Sequence, residues 1–190
     1  RLGLFCGTKF VNAPFTTTAG GTTSADFTGD PTDPSGSEAE VFYAYYPYSA
    51  HAVLEGSVVS GLSIPAVQTF ATKSFATELC PMATSGVDYS RLAFRTIGTV
   101  LKFQVTGQKN VTKIELTGNN GEALAGDYTI DFVGETPEMK FSGTETTLTL
   151  TCSEPVALND ASATEFYFVL PAGVEFTKGI TVKVYTDDNA

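Results

Sequence analysis

Tryptophan is missing from the 190 residues, and histidine occurs once. His51 is therefore the only imidazole for a Ser/His/Asp arrangement or a zinc site. It lies beside Ser49 in a tyrosine-rich stretch, and no Gly-x-Ser-x-Gly elbow accompanies it. The scattered acids single out no pair for glycoside chemistry, and the Gly20–Gly21 stretch lacks the strand-to-helix setting of a phosphate loop. No catalytic, cofactor-binding or metal-binding residue is expected, and the protein reads as a non-enzyme. Basic residues are few as well: 11 Lys and Arg, scattered along the chain, stand against 21 Asp and Glu, for a net charge of −10. Such a field repels phosphate, so no nucleic-acid partner is expected. Apolar runs extend only a few residues, short of the roughly 20 that cross a bilayer as a helix, so no membrane span is expected in this segment.

Cysteine is sparse and odd in number. Cys6, Cys80 and Cys152 lie far apart without a CxxC pair, which allows at most one internal bridge. They are expected to be free thiols buried as small apolar groups. A methionine is absent from the first position, where Arg1 leads directly into Leu2, Leu4 and Phe5. Removal of a secretory leader, an expression boundary or a proteolytic cut would each explain this start, and secretion is the expectation carried forward.

What is abundant is a strand vocabulary. Threonine recurs throughout, and the aromatic residues are 8 Tyr and 14 Phe, types that suit a pleated, half-buried surface. Several segments alternate with a period of two, which sends successive side chains to opposite faces of a sheet. Leu101, Phe103 and Val105 oppose Lys102 and Gln104, while Ile114 and Leu116 oppose Lys113 and Glu115 before the turn-forming Gly118–Asn119–Asn120–Gly121. Leu148, Leu150 and Cys152 alternate with threonines, and Ile180, Val182 and Val184 alternate with Thr181, Lys183 and Tyr185. Phe166 to Pro171 is apolar on both faces, as expected of a buried central strand ended by its proline. Only the stretch around Tyr89 to Ile97 offers a short helical turn, and a strand reads there equally well. The fold class that follows is all-β, an antiparallel β-sandwich with at most short helical turns, as one domain over residues 1–190.

Residues 16–40 break the pattern, being rich in Thr, Gly, Ser, Asp and Pro with Phe27 as their one large apolar group, and read as a long flexible loop. The run from Phe42 to Tyr48 concentrates Tyr43, Tyr45, Tyr46 and Tyr48, candidates either for contact with a ligand such as a sugar or for packing between strands. Asp187, Asp188 and Asn189 carry oxygens suited to calcium, but no following Glu completes a known loop, and a solvated turn is expected. Asn110–Val111–Thr112 matches the N-glycosylation triplet, a short pattern that often arises by chance.

The run FYAYYPYSA, Phe42 to Ala50, resembles the aromatic signature of the fimbrillin-like proteins of Bacteroidetes. RLGLF and ADFTGD precede it, while LSIPAVQTF, LAFRTIGTVLKFQVTG, VTKIELTGNNGEALAGDYTI and FYFVLPAGVEFTKGITVKVYTDD follow in order, so the resemblance covers nearly the whole chain. It implies an N-terminal sandwich of transthyretin-like Greek-key topology, export as a lipoprotein, and a place at the outer membrane or in a fimbrium. It also implies a lipid-bearing cysteine and a first strand ahead of Arg1, and a further strand and domain after Ala190, none of which falls within these residues. The function implied is that of a structural or adhesive fimbrial subunit or accessory protein. Its partners would be other subunits joined by strand addition, with host or bacterial surface ligands as further partners. A surface carbohydrate-binding module is the alternative reading.

Overall fold

The computed structural model describes residues 1–19 and 24–187. Among the described residues sixteen strands follow one another, the first five being β1 (Leu2–Cys6), β2 (Phe10–Phe15), β3 (Phe42–Tyr46), β4 (Val53–Glu55) and β5 (Val58–Ile64). Next come β6 (Val67–Ala71), β7 (Ser74–Phe75), β8 (Met82–Gly86), β9 (Arg95–Thr96), β10 (Gly98–Val105) and β11 (Asn110–Gly118). The last five are β12 (Gly126–Asp131), β13 (Glu138–Phe141), β14 (Thr147–Ala157), β15 (Thr164–Pro171) and β16 (Ile180–Thr186). The chain is all-β, with nearly every strand pair antiparallel, in keeping with a β-sandwich. No helix among the described residues is long and apolar enough to cross a membrane. The stretch from Tyr89 to Ile97 holds a turn and then β9.

The contacts group into two compact units. The first comprises Arg1–Leu62, Pro81–Ile97 and Tyr128–Lys140. Its main sheet has the order β2-β1-β3-β8-β9. Leu2, Leu4, Cys6, Phe10, Ala13, Phe42 and Ala44 form its core, with Phe15, Phe27, Tyr89, Leu92 and Phe94 packed against them. Every residue of β1 is buried, as expected of a strand paired on both edges, by β2 and by β3. Most residues of a second sheet, ordered β13-β12-β5-β4, belong to this unit too.

The described part of the 16–40 segment contains no strand longer than a single bridge, Thr16 to Thr28. It is nevertheless tied to the β1–β2 hairpin. The Thr32 hydroxyl accepts the Val11 N–H at 3.0 Å and donates to the Val11 carbonyl at 3.1 Å. Ser37 takes the N–H groups of Thr8 and Lys9 on its carbonyl, and Glu38 pairs with Lys9 at 2.6 Å. Residues 20–23 of the loop expected over 16–40 lie outside the described residues.

The second unit comprises Ser63–Cys80, Gly98–Asp127 and Phe141–Ala190. One sheet has the order β16-β11-β14-β6-β7, and the β14–β6 pair is parallel. The alternation read from the sequence sets its inward face: Ile114, Leu116, Leu148 and Leu150 are all buried, with Ile114 opposite Leu150 and Leu116 opposite Leu148. Gly118 and Gly121 close a turn through the Gly121 N–H and the Gly118 carbonyl. On β16, at the sheet's edge, Val184 is 38% exposed, and Cys152 on β14 is only partly buried, so neither completes the core row expected of it.

Strand β15 is buried over Phe166, Phe168, Val169, Leu170 and Pro171, as its two-faced apolar run requires. It is not central, however. Among the described residues it pairs only with β10, in a two-stranded sheet running from Gly98 opposite Pro171 to Val105 opposite Thr164. At Val169 a side chain takes the place of a second neighbour: the Val169 N–H donates to Gln68 Oε1 at 2.9 Å, and Gln68 Nε2 donates to the Val169 carbonyl at 2.7 Å.

Candidate functional site

The four tyrosines share the segment around β3 but not one surface. Tyr45 is fully buried; its hydroxyl shares its one proton between Asn12 Oδ1 at 2.6 Å and the Ser49 carbonyl at 3.0 Å. Burial pushes that hydroxyl's pKa well above its ordinary value, and the Ser49 and Asn12 bonds offset this only in part. Asn12 can serve as the partner because it adopts a left-handed backbone (φ 51°), a conformation asparagine tolerates, within the irregular β1–β2 hairpin. Tyr43 packs on Phe132 with ring centroids 5.0 Å apart, and Tyr46 packs against the first unit's core. Tyr48 lies under the Arg1 guanidinium at 5.7 Å. All four make packing or hydrogen-bonded contacts within the first unit.

His51 is exposed. Its backbone N–H donates to Ser49 Oγ, and that hydroxyl donates to the Gly61 carbonyl at 2.8 Å, so Ser49 braces a loop. Asn110 donates to Asp187 Oδ2 at 2.7 Å, while Asp188 and Asn189 lie outside the described residues. Among the described residues no three of His, Cys, Asp or Glu gather as metal ligands. Cys6, Cys80 and Cys152 form no disulfide among the described residues, and the first two are buried.

The feature with most chemical potential is the outer edge of β10. In an antiparallel pair, residues alternate between those that bond the neighbour and those whose N–H and C=O point away from it. Val169 turns both groups toward Gln68, so its pair with Val100 is of the second kind, as are Lys102 opposite Tyr167 and Gln104 opposite Glu165. Pro171 falls on the same alternate set, where its missing N–H removes no ladder bond. On β10, the backbone groups of Val100, Lys102 and Gln104 therefore face away from β15.

Among the described residues β15 is the sole ladder partner of β10. Among the described residues no side chain there plays the part that Thr32 plays at Val11 or Gln68 at Val169. Leu101, Phe103 and Val105 alternate with the edge-facing residues and stay only half-buried. Phe103 meets Phe168 edge-on at 5.9 Å. On the solvent side Lys102 pairs with Glu165 at 3.0 Å, and Glu165 also accepts the Tyr167 hydroxyl at 2.7 Å. Those bonds, Tyr167 first and Lys102 second, hold the Glu165 carboxyl below its usual range.

This signal was present in the sequence as the alternation from Leu101 to Val105, but alternation names a face and not a missing neighbour. Gln68 was missed there; it is one of three polar residues, with Ser63 and Thr69, between Leu62 and Phe70, and nothing in the sequence sets it apart. A scan against protein-family models and searches of curated proteins and of solved structures returned no significant match to this chain.

Proposed function

We propose that the chain is a structural or adhesive subunit, or an accessory protein, of cell-surface fimbriae, and that it joins its neighbours by strand addition. The observation that carries this reading is the β10 edge: outward-facing backbone groups at Val100, Lys102 and Gln104 beside a half-buried apolar row of Leu101, Phe103 and Val105. An incoming strand would gain backbone hydrogen bonds from the first set and cover the second, and a slip of one residue would turn its own apolar side chains away. An open edge is otherwise a hazard for aggregation, which gives a reason to look for its occupant. The resemblance of Phe42 to Ala50 and of the ordered segments around it to fimbrillin-like proteins supports the same reading. In the precursor, a lipid anchor would place the protein at the outer membrane.

The alternative of a carbohydrate-binding module draws less support, since it needs Tyr43 to Tyr48 as a stacking platform and Tyr45 is fully buried. Co-expression of the full mature protein with sister subunits tests the proposal. Co-purifying oligomers are expected, and Lys102→Pro, which removes an edge-facing N–H while sparing the β10–β15 ladder, should abolish them with the fold retained. Assembly of Lys102→Pro at the level of the parent would overturn the assignment of this edge.

A further inference from the structure

Within the first unit, a cavity of about 690 Å³ opens between β1, β8 and the segments around Ala25–Phe27 and Tyr89–Phe94. Its size falls in the range typical of small-molecule sites, roughly 300–1,000 Å³. Its walls carry the rings of Phe15, Phe27, Tyr89 and Phe94 together with Leu92 and Met82, all half-buried, while the fully buried Leu2 and Leu4 lie beneath. Tyr89 is held in place on two sides: its ring meets Phe10 edge-on at 5.3 Å, and its hydroxyl donates to Glu38 at 2.8 Å. Tyr89 is thus oriented before any ligand arrives. Asp26 supplies the one charged side chain in the lining among the described residues, and it is exposed.

Aromatic faces carry negative potential and attract organic cations, most strongly when the cation is poorly hydrated, as a quaternary ammonium is. A carboxylate beside four rings adds to that preference, and a chain of net charge −10 disfavours anions further. We propose that this cavity binds an organic cation with an apolar body, of the quaternary ammonium class: the body fills the space lined by Leu92, Met82 and the rings, and the ammonium lies near Asp26. The inference does not depend on strand addition at β10.

Three probes of similar shape test it: benzyltrimethylammonium, benzyl alcohol and phenylacetate, each titrated into the full chain and followed by amide NMR shifts. The cation should shift Ala25, Asp26, Leu92 and Phe94 saturably, and bind about tenfold or more tighter than phenylacetate, with benzyl alcohol between. Asp26→Asn, a surface change, should weaken the cation about fivefold and leave benzyl alcohol unchanged; Phe94→Leu should weaken the cation as well. Equal binding of the three probes, shifts centred elsewhere, or no saturable shift would overturn the proposal.

Discussion

Gln68 is joined to Val169 by two hydrogen bonds, in which its side-chain amide donates to the carbonyl and accepts from the N–H of one strand residue. An amide offers the same donor and acceptor as a peptide group, so this side chain stands in for the neighbouring strand that β15 lacks on that edge. Gln68 is only 2% exposed, and Leu79, Cys80 and Val169 form a small cluster with Phe75 and Ala76 in the same unit. Gln68→Met keeps the volume but strands a buried N–H and a buried C=O. The expected loss is about 2–4 kcal/mol in urea unfolding, from two unsatisfied backbone groups. A loss below about 0.5 kcal/mol would mean that water or another group satisfies Val169.

Two glycines with positive φ separate backbone strain from crowding. At Gly61 (φ 76°) an added Cβ would lie 2.1 Å from the His51 carbonyl oxygen, whereas at Gly56 (φ 61°) it would meet nothing within 4 Å. Gly56→Ala should cost about 1 kcal/mol, from the left-handed backbone alone. Gly61→Ala should cost at least about 2 kcal/mol more than that, because the His51–Gly61 loop must shift. Equal losses in parallel thermal melts would contradict the close approach.

Three Lys–Glu–Tyr groups recur: Glu38 accepts from Lys9 and Tyr89, Glu115 from Lys113 and Tyr185, and Glu165 from Lys102 and Tyr167. In two of them the lysine and tyrosine are cross-strand partners, Lys113 opposite Tyr185 and Lys102 opposite Tyr167. The carboxyls of all three are held below their ordinary range, Glu38 by Lys9, Glu115 by Lys113, and Glu165 by Tyr167 before Lys102. Their stabilisation is thus complete above the ordinary carboxylate range, near pH 4, and lost as pH falls through the lowered values. The lysines and tyrosines are shifted up by the same carboxylates, so their contribution is complete below about pH 10 and lost as pH rises further. Melting temperature against pH should show a plateau from about 5 to 9 with two falling limbs, and the triple Glu→Gln variant should flatten the acid limb. An unchanged acid limb in that variant would assign the loss to other carboxylates.

The thiols should differ in reactivity. Cys6 and Cys80 are buried and Cys152 is half-buried, with burial pushing the Cys152 thiol above its ordinary pKa. Native-state labelling at pH 8 should modify Cys152 first but more slowly than a free cysteine, and the other two only on unfolding. Faster labelling of Cys6 or Cys80 would show that their surroundings open readily.

The fold class was legible because several strands announce most of their inward face. Leu148 and Leu150 alternate with threonines, and that local pattern is enough to orient β14. Pairing was not legible, because it depends on residues far apart: nothing in Val67–Ala71 announces a parallel partner at Thr149–Thr151, and nothing in Phe166–Pro171 reveals that a glutamine about a hundred positions earlier would complete its edge. The sequence likewise marked Tyr43, Tyr45, Tyr46 and Tyr48 as a group, but composition cannot tell a ring that faces water from one like Tyr45 that anchors Asn12 and Ser49. The β10 edge is defined by what does not pair with it, and an alternating pattern carries no record of that.

Hydrogen exchange at β10 tests the central claim most directly. In the isolated chain the amides of Val100, Lys102 and Gln104 should exchange rapidly, while those of Leu101 and Phe103, which bond β15, are protected. In the complex with sister subunits that the proposal calls for, all five should be protected, by at least about a hundredfold over the isolated chain for the first three. Rapid exchange at Val100, Lys102 and Gln104 that persists in the assembly would contradict strand addition at this edge.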